Sequence, residues 1–182
     1  MARNVEIKAR IENVALLAPK VAELATEGPL ELAQDDTFFN CVTGRLKLRA
    51  FSNDAGELIF YRRVNQIGPK ESFYIKSPTT SPETLRESLS LAYGQIGRIR
   101  KYRTLFLVGR TRVHLDRVEG LGHFLELEVV MVDDEPAEQG IREAGELMDK
   151  LGVRPDQLIE GAYIDLMLAT EVGSDPVPNQ PL

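Results

Sequence analysis

The feature that most restricts this chain is an alternation of charged and apolar residues at a spacing of two, repeated in segment after segment. Glu6-Lys8-Arg10, Arg45-Lys47-Arg49, Lys101-Arg103, Arg110-Arg112 and Glu126-Glu128 carry the charge. Val5, Ile7, Leu46, Leu48, Val113, Leu125, Leu127 and Val129 take the apolar places in the same segments. Side chains of a strand alternate between its two faces, so each charged set points one way and each apolar set the other. A period of two is a strand period and not a helical one. These segments therefore ask for a sheet with one charged and one apolar face.

Like charges on neighbouring strands repel, so structure alone disfavours such a face. A ligand with several negative charges relieves the repulsion among the basic residues, and phosphates make charge-assisted bonds to Arg and Lys. Glu126 and Glu128, with Glu6 and Asp116, are hard oxygen ligands suited to Mg²⁺ or Mn²⁺. A metal shared between carboxylates and phosphate oxygens is the usual construction of a phosphoryl-transfer site. Any one of these strands, taken alone, is better explained by a solvated outer face. Repetition in five segments is what carries the reading: a barrel or cleft whose polar face takes a polyphosphate and a divalent cation.

The period predicts strands over 4–10, 34–42, 45–51, 57–64, 71–76, 96–108, 110–118 and 123–132. Helices are expected over 14–26, ended by Gly28-Pro29, and for about ten residues after Ser81-Pro82-Glu83. Two more are expected, from Pro136 to about Leu151 and near 160–169. The result is an α+β domain over residues 1–170, dominated by antiparallel sheet, with a Pro-rich tail at 171–182 expected to be disordered.

Composition serves mainly to exclude. A net charge of −6 argues against a general nucleic-acid or membrane binder. The charge is uneven: residues 95–117 hold seven bases and one acid, whereas 119–182 hold fifteen acids and three bases. That distribution places an anion site in the middle of the chain, with a few acids folded back onto it. The single cysteine, Cys41, rules out an intrachain disulfide and is expected as a small buried residue. His114 and His123 lack a second histidine at ligand spacing and are expected to be exposed or hydrogen-bonded. No apolar run reaches membrane-spanning length and MARNVEIKAR has no signal-peptide core, so the expected location is the cytoplasm.

The motifs, taken in order, resemble those of the CYTH superfamily, the triphosphate tunnel metalloenzymes. The first-strand E-x-E-x-K hallmark of that family is met here by N-V-E-I-K at 4–8, with Asn4 where the first glutamate belongs. Q-D-D-T-F-F (34–39), T-G-R-L-K-L-R (43–49), F-Y-R-R (60–63), K-Y-R (101–103), R-V-H-L-D (112–116), V-E-G-L-G-H-F (118–124), E-L-E (126–128) and A-Y-I-D-L (162–166) follow in the family's order.

The resemblance implies an eight-stranded antiparallel β-barrel with flanking helices, forming a triphosphate tunnel, often in a homodimer. It implies triphosphate binding by Lys8, Arg45, Lys47, Arg49, Arg63, Lys101, Arg103 and Arg112. Metal positions fall on Glu6, Asp116, Glu126 and Glu128, and catalytic roles on Lys8, Lys101, Arg103 and Asp116. The activity most like this chain is that of the class IV adenylate cyclases, which convert ATP to cyclic AMP and pyrophosphate. A hydrolase acting on tripolyphosphate, a nucleoside triphosphate or thiamine triphosphate stands as the alternative, and a polyphosphate-sensing module without turnover as a third. Asn4 brings an oxygen without a charge, which bears on cyclase activity more than on triphosphate binding.

Overall fold

The computed structural model describes residues 2–63 and 67–172. Its strands are β1 (Ala2–Ile11), β2 (Glu27–Phe39), β3 (Arg45–Ala50), β4 (Gly56–Arg63), β5 (Lys70–Thr79), β6 (Gln95–Val108), β7 (Thr111–Val118) and β8 (Gly122–Met131). They close into a barrel in the order β1-β5-β4-β3-β2-β6-β7-β8, every neighbour antiparallel. Four α-helices flank it: α1 (Val14–Leu24), α2 (Pro82–Tyr93), α3 (Ala137–Leu151) and α4 (Tyr163–Val172).

The barrel is built inside out. Val5, Ile7, Val113, Leu115, Leu125, Leu127 and Val129 point outward and pack under Val14, Leu17 and Val21 of α1 and Ala144, Leu147 and Leu151 of α3. Burying each such Leu, Ile or Val is worth about 1.5–3 kcal/mol, so the helices secure the barrel from outside and its interior is free to hold charged residues beside an apolar stretch. Strand register then sets acid against base inside. Lys8 stands opposite Glu126, Arg103 opposite Asp116, Arg112 opposite Glu128 and Arg49 opposite Asp36. This interleaving relieves much of the like-charge repulsion expected of a wholly basic face.

Several boundaries differ from those the sequence predicts, and two of the regions concerned contain a proline. Asn13 caps α1 as expected, its Oδ1 accepting from the Ala15 amide at 2.9 Å. The helix stops at Leu24, however, and β2 begins at Glu27 instead of 34, running through Gly28-Pro29. A register shift between Glu27 and Leu30 absorbs Pro29, which has no amide to give to a ladder. Likewise β5 continues through Pro78 to Thr79. Its pairing with β1 starts only at Ala2 opposite Tyr74, so Pro78 has a ladder partner on the β4 side alone.

α4 docks across one end of the barrel, where Ala162, Tyr163 and Ile164 pack on Phe38, Ile99, Val118 and Phe124. Gly97 permits the approach, since a Cβ there would sit 2.6 Å from side-chain carbons of Ile164 and Met167. Cys41 is half-buried, not buried as expected, because it lies in the β2–β3 connection. No helix among the described residues is long and apolar enough to cross a membrane. The tail expected to be disordered lies outside the described residues but for its first two positions, which end α4.

Candidate active site

A cavity of about 340 Å³ occupies the barrel interior. Lys8, Lys47, Arg49, Lys76, Lys101, Arg103 and Arg112 line it, against Glu6, Asp36, Glu57, Glu126 and Glu128. The excess of cations in a walled, low-dielectric space favours an anionic guest.

Four acids of the tunnel are gripped by bases from other strands. Glu126 lies 3.1 Å from Lys8 Nζ through Oε1 and accepts from Arg103 at 2.8 Å through Oε2. Glu128 accepts from Arg112 Nε at 2.9 Å, and Arg112 also donates to the Tyr74 hydroxyl at 3.3 Å. Asp36 accepts two bonds from Arg49 and one from Lys47, all at 2.7 Å. Asp116, wholly buried, accepts two bonds from Arg103 at 2.7 Å, one from Lys101 at 3.0 Å and one from the Tyr163 hydroxyl at 2.8 Å. The Tyr163 ring, brought in at the start of α4, has Lys8 Nζ 4.0 Å and Lys101 Nζ 4.9 Å from its centroid.

These pairings move the protonation equilibria in opposite directions. Burial alone would raise the carboxyls of Asp116 and Glu126, but Arg103 and Lys101 beside the first and Lys8 beside the second hold both well below the usual range. Burial, reinforced by Arg103, pulls the Lys101 ammonium down to about 7 in spite of Asp116. Burial and Arg49 bring Lys47 down to about 8 in spite of Asp36. Two cations of the anion site thus lose their charge as pH rises through about 7–8. Metal-free tripolyphosphate, multiply anionic throughout this range, should accordingly bind more weakly at pH 9 than at pH 7. Isothermal titration calorimetry across that range checks this, and an affinity that is flat or rises with pH refutes it.

Of the residues expected from sequence, Lys8, Lys47, Arg49, Lys101, Arg103, Arg112, Glu6, Glu126 and Glu128 line this same cavity. Arg45 does not; its guanidinium forks onto Asp165 of α4 at 2.9 and 2.8 Å. Asp116 sits behind the lining with its oxygens taken by Lys101, Arg103 and Tyr163. Arg63 ends β4 opposite Ser72, and its side chain lies outside the described residues. Arg110 pairs with Glu135 and Glu143 away from the tunnel.

Of the lining residues that sequence reasoning left out of the site, three bear most on its chemistry. His114, only 4% exposed, lines the cavity with Nδ1 3.7 Å from Glu126 Oε2 and 4.0 Å from Glu128 Oε1, and that nitrogen has no hydrogen-bond partner. Burial and the charge of Arg103 lower its pKa. Its signal was present: it falls midway between Arg112 and Asp116, on the face they share. Asp36 and Tyr163 lay inside quoted motifs without being assigned a part in the site. His123 is hydrogen-bonded, accepting from the Val14 amide at 3.0 Å.

The donor set fits a divalent cation. One ligand atom each from His114, Glu126 and Glu128 lies within 4.8 Å of the others. Asn4 Oδ1 is also buried on the cavity wall without a hydrogen-bond partner. A buried polar atom left unsatisfied costs about 1–3 kcal/mol, which a guest cation would recover.

A barrel with an apolar layer under its outer helices and paired bases and carboxylates within is a tunnel whose charges suit a polyanion and a cation. The chain belongs to the CYTH domain family, whose model matches residues 2–163, and so to enzymes that act on triphosphates. It is 27% identical over 184 residues to adenylate cyclase CyaB of Aeromonas hydrophila, covering 96% of this chain and 94% of that one. The fold is shared with protein PH1012 of Pyrococcus horikoshii, at a TM-score of 0.79 and 22% identity over 90% of this chain and 98% of that one. It is shared also with a Hippeastrum protein, HpAC1, described as having a dominant triphosphatase activity, at a TM-score of 0.58 and 16% identity over 96% and 98% of the two chains.

Proposed function

We propose that the protein is a divalent-metal-dependent enzyme that cyclises ATP to cyclic AMP and pyrophosphate. The observation that carries this reading is the composition of one cavity wall. Cations in excess and a carboxylate cluster stand beside an apolar and aromatic stretch of Phe38, Phe51, Ile59, Tyr61 and Ile99. A bare polyphosphate has no use for that stretch, whereas a purine base does. The likeness to CyaB supports the same choice.

Lys8, Lys101 and Arg103 would hold the triphosphate oxygens together with Lys47, Arg49 and Arg112, which line the same cavity. Asp116 would act as a positioning residue, since it accepts from Lys101, Arg103 and Tyr163 and so orients them. Arg45 holds α4 in place through Asp165. Glu6, Glu126 and Glu128 would hold Mg²⁺ or Mn²⁺. When bound, such an ion lowers the pKa of the ribose 3′-hydroxyl and offsets charge on the α-phosphate. The 3′-oxygen bonds to the α-phosphorus as the bond to the β-phosphate bridging oxygen breaks. The hydroxyl proton passes to solvent, and the cations stay with the departing pyrophosphate. The chain's contribution is placement and fixed charge in a walled site, with no covalent intermediate.

A second reading, hydrolysis of a triphosphate, is favoured by the activity described for the Hippeastrum protein on the same fold. Phosphorus NMR of products from ATP and from tripolyphosphate, each with Mg²⁺ and with Mn²⁺, separates the two. Cyclic AMP with pyrophosphate is the expected result. ADP with orthophosphate, or rapid tripolyphosphate cleavage without cyclic AMP, replaces cyclase by hydrolase.

A further inference from the structure

The carboxylates of the tunnel do not face one another alone. His114 enters from β7, directly opposite Glu126 in the β7–β8 register, with Glu128 two residues along the same face. Its Nδ1 is the atom nearest their oxygens and is satisfied by no hydrogen bond. Ordinary packing explains this poorly, because a buried imidazole 3.7 Å from a carboxylate usually closes the gap and bonds to it. The three ligand atoms span no more than 4.8 Å. Two ligands on opposite sides of one ion, each at about 2.0–2.2 Å, stand about 4.0–4.4 Å apart, a small contraction from that span. A second orphaned acceptor, Asn4 Oδ1, opens onto the same cavity from β1 and adds oxygen without charge.

We infer that His114 is a nitrogen ligand of the tunnel cation, which adds an imidazole to the carboxylates of the centre and makes it a mixed site that prefers Mn²⁺ and later transition ions to Mg²⁺. The inference rests on the metal-dependent reading of the tunnel and goes beyond it by naming a ligand and a selectivity. The chemistry follows from the donors. Mg²⁺ takes hard oxygen ligands and keeps its waters, whereas imidazole suits transition ions. With Asn4 neutral, the site offers less negative charge, the quality a hard ion most depends on.

The test uses the full chain with Mn²⁺ as the probe and no substrate. Pulsed electron paramagnetic resonance of the wild-type protein should show a directly bound ¹⁴N, and His114→Gln should lose it. Calorimetry should show Mn²⁺ affinity falling by about tenfold or more in His114→Gln, the scale on which altered metal surroundings act, while Mg²⁺ affinity changes much less. The wild-type spectrum alone decides if the variant folds poorly: bound Mn²⁺ without nitrogen coupling overturns the inference. Coupling that persists in His114→Gln overturns it too, since the nitrogen is then another residue's. Nitrogen-coupled Mn²⁺ in a protein that turns over no triphosphate upholds the ligand and removes the proposed function. Turnover with a nitrogen-free spectrum does the reverse.

Discussion

Glu126→Ala is expected to abolish turnover of every triphosphate tested while leaving metal-free tripolyphosphate binding as tight as in the wild type, or tighter. Glu126 stands where two demands meet. It belongs to the cluster with His114 and Glu128, and it neutralises Lys8 and Arg103. On the proposed function, removing it takes away a cation ligand and with it the charge stabilisation of the reacting phosphate, a loss of at least about 10²–10³-fold in kcat. The same change releases Lys8 and Arg103 from a competing carboxylate, so both become more available to an anion. A general loss of structure would lower both quantities together, and the expected result moves them apart. Steady-state kinetics with Mg²⁺ or Mn²⁺, beside calorimetry without metal, gives both readings. Unchanged turnover would sink the assignment of the metal to this cluster.

Asp116→Asn should act chiefly on stability. Asp116 is wholly buried and carries bonds from Lys101, Arg103 and Tyr163. Breaking a buried ion pair by neutralising one partner costs about 3–5 kcal/mol, because the other charge is left in a low-dielectric site. Against a total of about 5–15 kcal/mol for a typical domain, that is a large share. The folded-state pKa of Asp116 lies below the value of 3.8 for an unperturbed group. A depressed carboxyl contributes stability that is present above the unfolded pKa and lost as pH falls through and below it. The gap between wild type and Asp116→Asn should therefore be full at pH 7 and shrink below about pH 4. Urea denaturation at pH 7, 4 and 3 measures it; a gap under about 1 kcal/mol at pH 7, or one that widens in acid, contradicts the buried-pair account.

Both experiments depend on contacts of a kind that strand periodicity alone does not contain. Spacing of two decides which side chains share a face, since it follows from the backbone of a single strand. Lys8, Lys47, Arg49, Lys101, Arg103, Arg112, Glu126 and Glu128 could therefore be grouped from sequence, and the structure puts them all on one cavity. The same reasoning included Arg45, which has the right parity but lies where α4 brings Asp165 within reach. It stopped α1 and delayed β2 at Gly28-Pro29, a strong local signal that a register shift absorbs.

What the chain determined by itself was local: strand after strand with a charged and an apolar face, enough basic residues for an anion, and acids spaced for a cation. Tertiary structure decided which face turned inward, because the helices bring a second apolar surface that only the outside of the barrel can meet. It also decided which acid met which base. Cross-strand register joins residues far apart in the chain, and the pairing of His114 with Glu126 exists only once β7 and β8 lie side by side. A buried charge is stable only when its partner arrives with it. For that reason Asp116, a metal-ligand candidate in the sequence, is held in the fold by Lys101, Arg103 and Tyr163.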